Sequence, residues 1–288
     1  MIDVFNIPSQ QQQTYTLYAT GNWQTWNKPR GAKMIEIFCL GGGAGGAVAA
    51  ISIGGAAGGS GSGSGGIVRG LIPAFLLPDT LYILVGKGGI GSSTSNTAGG
   101  QGGISYIGLQ PSTSEQTLIC KSSTIAALGN GNGGTISVVS LSAFGNLGLF
   151  TSIAGVAGSS GGTNAPTQGG SQAALGTNLT TGGAGGGGKT AATFAAGGNI
   201  TSASAILTNQ VSGGTTDGQN GADGYGTLQP FCGTGGAGGA GKQGATGAGG
   251  NGGNGFYGCG GGGAGASSTI VPKAGNGGDG LVIITVIS

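Results

Sequence analysis

Short runs of β-branched and aromatic residues recur along the chain, and glycine-rich stretches separate them. Several of these runs alternate apolar and polar positions, as 33–38 does, which is the pattern of a strand with one covered face. No convincing 3.6-residue repeat occurs, so the pattern predicts an all-β fold with essentially no α-helix. The predicted strands are 14–20, 33–40, 67–72, 81–85, 104–109, 117–121, 135–141 and 281–287.

The final run, 281–287, is apolar at consecutive positions rather than at alternate ones. A strand of this kind needs cover on both faces. It therefore predicts a central strand, and the set of short strands as a whole predicts a jelly-roll-like β-sandwich.

Glycine has a period of its own. Seven glycines recur at every third position from Gly235 to Gly253. Three residues is the repeat of the polyproline II helix, and a face made only of glycine allows such helices to pair backbone to backbone. Residues 233–265 contain no proline, which argues against a collagen-like triple helix. We therefore expect the blocks 41–66, 155–190 and 212–265 to form a bundle of polyglycine II helices packed on the β core.

The chain divides into two predicted parts. Residues 1–20, with a run of four glutamines at 10–13, are expected to form an N-terminal arm for attachment, and 21–288 one glycine-rich β domain. The first residues lack a basic region followed by an apolar core, so we expect no signal peptide. Glycine, serine and proline interrupt every long uncharged stretch, so we expect no membrane-inserted segment.

Composition leaves little room for catalysis. Glycine accounts for 75 of 288 residues, histidine is absent and the seven acidic residues are scattered. The usual general base and metal ligand are thus missing, and we expect neither an enzyme nor a cofactor or metal site. A net charge of +2 argues against a nucleic-acid partner. So few charges favour a protein that works inside an assembly, and a homo-oligomer such as a trimer is plausible.

Two nucleotide-binding patterns occur, and we interpret both as chance matches in a glycine-rich chain. Gly183–Thr190 has the P-loop spacing, and Gly41–Gly46 has the spacing of the dinucleotide fingerprint. A phosphate site also needs a helix after the loop, and neither pattern is followed by a convincing helical sequence.

The four cysteines show no metal-ligand spacing. Cys39 lies in an apolar run and is expected to be a buried small hydrophobic residue. Cys232 and Cys259 flank a glycine-rich block, so a disulfide between them stays open as an alternative to free thiols.

Three aromatic residues in the glycine blocks have less reason to be core residues. Large rings that project from loops of small residues suit a recognition surface. We therefore take Tyr225, Phe256 and Tyr257 as candidate recognition residues.

A second group of candidates lies at the entrance to the strand 33–40. Trp23 and Trp26 are expected to cap the core, with a sugar-stacking platform as the alternative. The basic residues Lys28 and Arg30 lie close by. We take all four as candidate contacts with a partner.

The entry Trp26-Asn-Lys-Pro-Arg-Gly leads into the strand 33–40 and a glycine run, and the segment 275–284 closes the chain with a glycine-rich stretch and a strand. In these two segments the chain resembles the glycine-rich domain found in bacteriophage virion proteins. The middle segment 71–89 fits the same pattern of a strand that leads into glycine loops.

That resemblance implies an exposed virion component with no cofactor, located on the outer surface of the tail or head. We expect a tail-fibre or tip adhesin that recognises a glycan or an outer-membrane protein of the host and contacts other virion proteins. Two alternatives remain open. One is a capsid-decorating or fibre-joining protein without a receptor. The other, more remote, is an antifreeze protein, because polyglycine II bundles can present a flat face to ice.

Overall fold

Two antiparallel sheets form a β-sandwich. The computed structural model describes residues 12–122, 148–173, 179–201, 209–226 and 233–288. One sheet has the order β1-β11-β3-β4-β8 and the other the order β2-β5-β6-β7; a short parallel pair joins β9 and β10. The strands are β1 (Gln13–Tyr18), β2 (Gln24–Asn27), β3 (Met34–Leu40), β4 (Ile67–Pro73), β5 (Thr80–Leu84), β6 (Tyr106–Gly108), β7 (Leu118–Lys121), β8 (Leu149–Ile153), β9 (Gln172–Ala173), β10 (Ile200–Thr201) and β11 (Leu281–Ile287).

The main hydrophobic core lies between the two sheets. The five-stranded sheet contributes alternate residues of β3 and β11, and the four-stranded sheet contributes Trp26, Leu81, Ile83 and Ile107 among others. Most of these side chains are fully buried. Because alternate residues of a strand point to one face, the apolar positions of the sequence pattern are the ones that meet here.

The prediction of a strand covered on both faces is confirmed for β11. Val282 and Ile284 point into the main core, whereas Leu281 and Ile283 belong to a second apolar cluster on the outer face of the same sheet. Phe38, Leu40 and Ile67 complete that second cluster. β11 therefore has apolar cover on both faces.

The N-terminal arm needs a correction. Gln13–Tyr18 form the edge strand β1, which pairs with β11 along its whole length. Tyr15 and Leu17 pack against the main core. These residues therefore belong to the sandwich, and any arm is confined to residues 1–11, which lie outside the described residues.

Four of the strands are not predicted from the sequence: β2, β8 and the two-residue strands β9 and β10. β2 has the polar sequence Gln-Thr-Trp-Asn, and β8 follows a stretch that lies outside the described residues. Each of the four is placed by pairing with a neighbour: β2 with β5, β8 with β4, and β9 with β10. The predicted strand 135–141 lies outside the described residues.

Within the described residues, seven glycine-rich excursions run away from the sandwich and turn back toward it. Each excursion consists of two antiparallel extended segments joined by a tight loop; the first runs out from β3 and back into β4. Together the segments form what we call the glycine bundle: 42–48, 56–65, 86–92, 97–105, 155–162, 167–172, 181–189, 194–201, 211–214, 218–226, 233–242, 248–256, 258–266 and 273–280.

Backbone hydrogen bonds hold the bundle together, and they repeat every three residues. The segment 181–189 shows this most clearly, because its successive N–H groups donate in rotation to three different neighbours. The six bonds are Gly183 N to Ser62 O (2.7 Å), Ala184 N to Gly236 O (3.0 Å), Gly185 N to Gly170 O (3.0 Å), Gly186 N to Gly59 O (2.8 Å), Gly187 N to Gly239 O (2.9 Å) and Gly188 N to Thr167 O (3.1 Å).

The segments 233–242 and 258–266 follow the same rotation, each with three neighbours of its own. A three-residue rotation is what polyglycine II packing requires. The assignment of polyglycine II geometry to the individual segments stays a prediction, whereas the hydrogen-bond pattern and the all-β sandwich are features of the structure.

The regular run of seven glycines does not form one continuous segment. It turns back on itself at 243–247, where Gly244 and Gly247 have φ values of +89° and +112°. Glycine adopts such angles at little cost, so the same residue serves the straight segments and the turn between them. The period in the sequence therefore continues through a reversal of the chain.

Helix is confined, within the described ranges, to the 3₁₀ turns Ala74–Leu76 and Glu115–Thr117. Within those same ranges, no helix has the length and apolar character to cross a membrane.

Candidate functional site

The loops that join the segments of the bundle lie together at the end remote from the sandwich. We call them the distal loops: 49–55, 93–96, 163–166, 190–193, 215–217, 243–247 and 267–272. Eight residues, 41–48, separate the first of them from the end of β3, which corresponds to roughly 25 Å of extended backbone. Most of their residues are exposed or half-buried.

Hydrogen bonds connect six of these loops into one surface, and the third lines a cleft together with the first. The first loop contacts the second and the seventh, and the sixth contacts the fourth, fifth and seventh. The bonds are Ile51 N to Ser95 Oγ (3.2 Å), Ser52 N to Ser267 O (3.1 Å), Gly244 N to Ala191 O (3.0 Å), Gln243 N to Asp217 Oδ1 (2.8 Å) and Gly247 N to Thr269 Oγ1 (3.2 Å).

A buried lysine lies beneath the loops. Lys189 is fully buried, and its Nζ donates to Gly244 O at 3.0 Å and to Ser268 Oγ. Burial lowers the pKa of Lys189 from its ordinary value, and Asp217 opposes this shift. The lysine of the P-loop-like pattern is therefore occupied in holding loops 243–247 and 267–272, which agrees with a chance match.

An ion pair joins loop 215–217 to the residue that precedes loop 243–247. Lys242 Nζ lies 2.5 Å from Asp217 Oδ2, and both side chains are partly exposed. Such a pair adds little to stability by itself. Because Asp217 also accepts the backbone N–H of Gln243, it fixes the orientation of loop 215–217 relative to loop 243–247.

A cleft of about 650 Å³ opens between loops 49–55 and 163–166. Alanine and glycine form much of its wall, and Ser52, Asn96, Thr163 and Asn164 supply hydroxyl and amide groups. Asn96 has a φ of +56°, the one left-handed backbone among the described non-glycine residues. Asparagine tolerates that conformation better than most residues, and such outliers concentrate at ligand-binding positions.

The chemistry of this surface suits binding. It carries many small hydroxyl and amide side chains, together with the exposed apolar residues Ile53 (59% exposed) and Ile270 (57% exposed). In the part of the chain that the structure describes, no group of three or more histidine, cysteine or acidic residues could hold a metal ion. The distal loops thus offer hydrogen-bond donors and acceptors on a stiff support.

The predicted recognition residues lie elsewhere. Phe256 and Tyr257 occupy the turn before segment 258–266, at the end of the bundle next to the sandwich, and both are half-buried. Their rings meet edge to face at 4.9 Å, and Tyr257 also lies 6.0 Å from the ring of Tyr18. Tyr257 packs against the second apolar cluster and so covers part of the outer face of the sheet, and Phe256 packs against Tyr257.

Tyr225 also lies at the end of its segment nearest the sandwich. It is half-buried, packs against the small cluster that contains Ile200 and Val211, and donates its hydroxyl to Asn209 O. The structure therefore does not bring Tyr225, Phe256 and Tyr257 to the distal loops. These large rings instead pack on apolar side chains at the end of the bundle next to the sandwich.

The residues at the entrance to β3 have mainly structural contacts. Trp26 is buried in the main core and meets Tyr15 edge to face, and the half-buried Trp23 lies 6.2 Å from the ring of Tyr106. Capping of the core by Trp26 is thus confirmed.

The two basic candidates differ from each other. Lys28 donates to Ala74 O and Leu77 O and pairs with Asp79 at 3.3 Å, so it fastens the turn between β4 and β5. Arg30 is exposed. Of the remaining candidate features, the disulfide Cys232–Cys259 falls on Cys232, which lies outside the described residues.

The distal loops are marked in the sequence by polar residues rather than by large aromatic ones. Clusters of serine, threonine and asparagine interrupt the glycine runs, as at 92–97 and 163–167. Such clusters are typical of turns. What they could not show is that loops more than 200 positions apart lie side by side.

Comparison with known families adds one finding. A family model described as a glycine-rich domain matches residues 18–286, which is nearly the whole chain. No curated protein matches the sequence.

Proposed function

We propose that this chain, which belongs to the glycine-rich domain family, is a bacteriophage virion surface protein, a tail-fibre or tip adhesin that recognises the host cell through its distal loops. It binds a surface glycan or an outer-membrane protein of the host, and it catalyses no reaction. In this proposal it is assembled in the host cytoplasm as a homo-oligomer, and it contacts neither nucleic acid nor the membrane interior.

The convergence of the seven distal loops is the observation that carries the proposal. Each excursion is anchored by backbone hydrogen bonds, and each ends in a short polar loop at the same place. Loops on a rigid support are the usual location of binding residues, because their side chains vary while the framework stays in place. The antifreeze alternative requires a flat face, and the cleft beside loop 49–55 does not suit one.

The opposite end of the protein suits attachment. The chain enters β1 there, since Gln13 pairs with Val286 at the end of β11. Phe75, 83% exposed, lies on the turn that follows β4 at this end. Exposed rings of this kind are typical of contacts between proteins. We assign this end to other virion proteins and the distal end to the host.

The test is to close the cleft without disturbing the bundle. Asn164 is exposed at the mouth of the cleft, and we expect Asn164→Trp to reduce binding of the purified protein to host cells at least tenfold. Gln101→Trp is the matched control, because Gln101 is exposed on the side of the bundle in segment 97–105. Both variants should melt within about 2 °C of the wild type, since both changes lie on the surface.

Competition with phage adsorption separates the adhesin from a purely structural component. The wild-type protein should block adsorption, and Asn164→Trp should not. If the protein binds no host cells and is found on the head of the particle, it is a decoration protein. Equal loss of binding in both variants would place recognition outside the distal loops.

A further inference from the structure

Two buried cysteines lie on opposite sheets of the sandwich and share its main core. Cys39 lies on β3 in the five-stranded sheet, and Cys120 lies on β7 in the four-stranded sheet. Both are fully buried in the main core, and hydrogen bonding by the Cys39 side chain is the largest cause of the raised pKa of Cys120. The pair therefore places two thiols between sheets that otherwise meet mainly through apolar packing.

Backbone contacts around the pair fix the positions of the two strands. Cys39 Sγ lies 3.5 Å from Ser105 O, and the same carbonyl accepts the N–H of Ser122 at 2.9 Å. Ser122 Oγ in turn accepts the N–H of Ser105 at 2.8 Å. Ser105 thus contacts the Cys39 thiol and is hydrogen-bonded to Ser122, two residues after Cys120, so it fixes the end of β7 beside Cys39.

The pair also lies where the sandwich joins the glycine bundle. Ser105 Oγ donates to Leu40 O at 2.6 Å and accepts the N–H of Gly86 at 3.0 Å. Leu40 ends β3, and Gly86 begins the second excursion. A covalent link at this position would join β3, from which the first excursion starts, to β7 in the opposite sheet.

We propose that Cys39 and Cys120 are an oxidation site that forms an intersheet disulfide. The oxidant is a small-molecule disulfide such as oxidised glutathione. In two exchange steps the two S–H bonds of the protein break, one S–S bond forms between Cys39 and Cys120, and the oxidant is reduced to two thiols. No other atom is gained or lost, and the protein becomes two hydrogens lighter.

The burial of the pair determines when the reaction occurs. The hydrogen bond with Cys39 and burial raise the pKa of Cys120 well above its ordinary value, so little of the reactive thiolate is present near neutral pH. Exchange also needs access to the sulfur, which the closed sandwich denies. The bond therefore forms during folding or partial opening under oxidising conditions, and the thiols persist in a reducing cytoplasm.

The link should raise stability measurably. It closes the chain between residues 39 and 120, which removes freedom from the unfolded state. For a loop of that length in a domain of this size, we expect the melting temperature to rise by roughly 10 °C.

The experiment is to refold the full chain in a glutathione redox buffer and to map its disulfides by mass spectrometry without reduction. We expect a linked pair of peptides containing Cys39 and Cys120, a protein lighter by two hydrogens, and a higher melting temperature that reducing agent reverses. Cys39→Ala and Cys120→Ala should each abolish the linked peptides and the shift.

Two results would overturn the proposal. One is that Cys39 and Cys120 remain thiols, or join other cysteines, after complete refolding in the redox buffer. The other is a correct link that leaves the melting temperature unchanged or lower. If the alanine variants fail to fold, oxidised and reduced wild-type protein supply the same comparison.

Discussion

The β-sandwich and the glycine bundle are held together by different parts of the same chain. In the sandwich, side chains such as Ile37 and Ile284 fill the space between two sheets. In the bundle there is little side chain to bury, and neighbouring backbones approach until their N–H and C=O groups pair directly. The stability of the sandwich depends on side chains that fill the space between its sheets. The stability of the bundle depends on the lack of side chains, because only then can the backbones pair.

The difference also concerns energy. Burial of apolar surface stabilises the sandwich by about 25 cal/mol per Å². Each hydrogen bond of the bundle adds only about 0.5–1.5 kcal/mol net, and each glycine costs more conformational entropy than alanine would. The bundle therefore needs nearly all of its bonds at once, and its anchorage on the strands is part of its stability.

The largest expected effect comes from adding one carbon atom inside the bundle. A Cβ on Gly238 would lie 1.9 Å from Gly185 O, which no small movement can relieve. We expect Gly238→Ala to lower the free energy of unfolding by at least about 3 kcal/mol, measured by denaturant titration. The control is Gly54→Ala in an exposed distal loop, where no atom lies within 4 Å, and its effect should stay within about 0.5 kcal/mol.

A smaller effect is expected from removing one carbon atom in the sandwich. Ile37 is fully buried in the main core, and Ile37→Val should cost about 1 kcal/mol in the same titration. The same change in size is thus several times more harmful in the bundle than in the sandwich. Equal costs for Gly238→Ala and Ile37→Val would contradict the distinction between the two regions.

The smallest expected effect is a dependence of stability on pH that comes from a cysteine of the sandwich. The pKa of Cys120 in the sandwich is raised well above its ordinary value of 9.0, so the unfolded chain releases this proton first. In reduced protein, stability from this group is complete below that value and falls as the pH rises toward the folded pKa. Melting temperatures should therefore decline above about pH 9, and less steeply in Cys120→Ala than in the wild type. Parallel declines would show that the thiol makes no such contribution.

The sequence pattern predicts the strands of the sandwich better than the course of the chain in the glycine bundle. The strands β3, β4 and β11 follow from their runs of isoleucine, valine and leucine, because a strand's apolar period is a local property. β2 was missed because its pattern is polar and its place depends on pairing with β5. The period of the glycine run predicted lateral pairing, yet it did not reveal the reversal at 243–247.

The candidate site was harder to predict from the sequence than the fold. Size and aromatic character singled out Tyr257, but the residue packs on the second apolar cluster rather than on a free surface. The cleft by contrast joins Asn96 to Asn164, which lie on different excursions. Which loops become neighbours depends on how the segments pair across the bundle, and a local pattern carries no record of that pairing.

Hydrogen exchange followed by NMR tests the central claim most directly, because it reports the protection of individual backbone amides. If the bundle is held by its backbone bonds, the amides of Gly183–Gly188 will exchange about as slowly as those of β3 in the sandwich. Exchange of these glycine amides at the rate of an unstructured chain, with β3 still protected, would contradict the account.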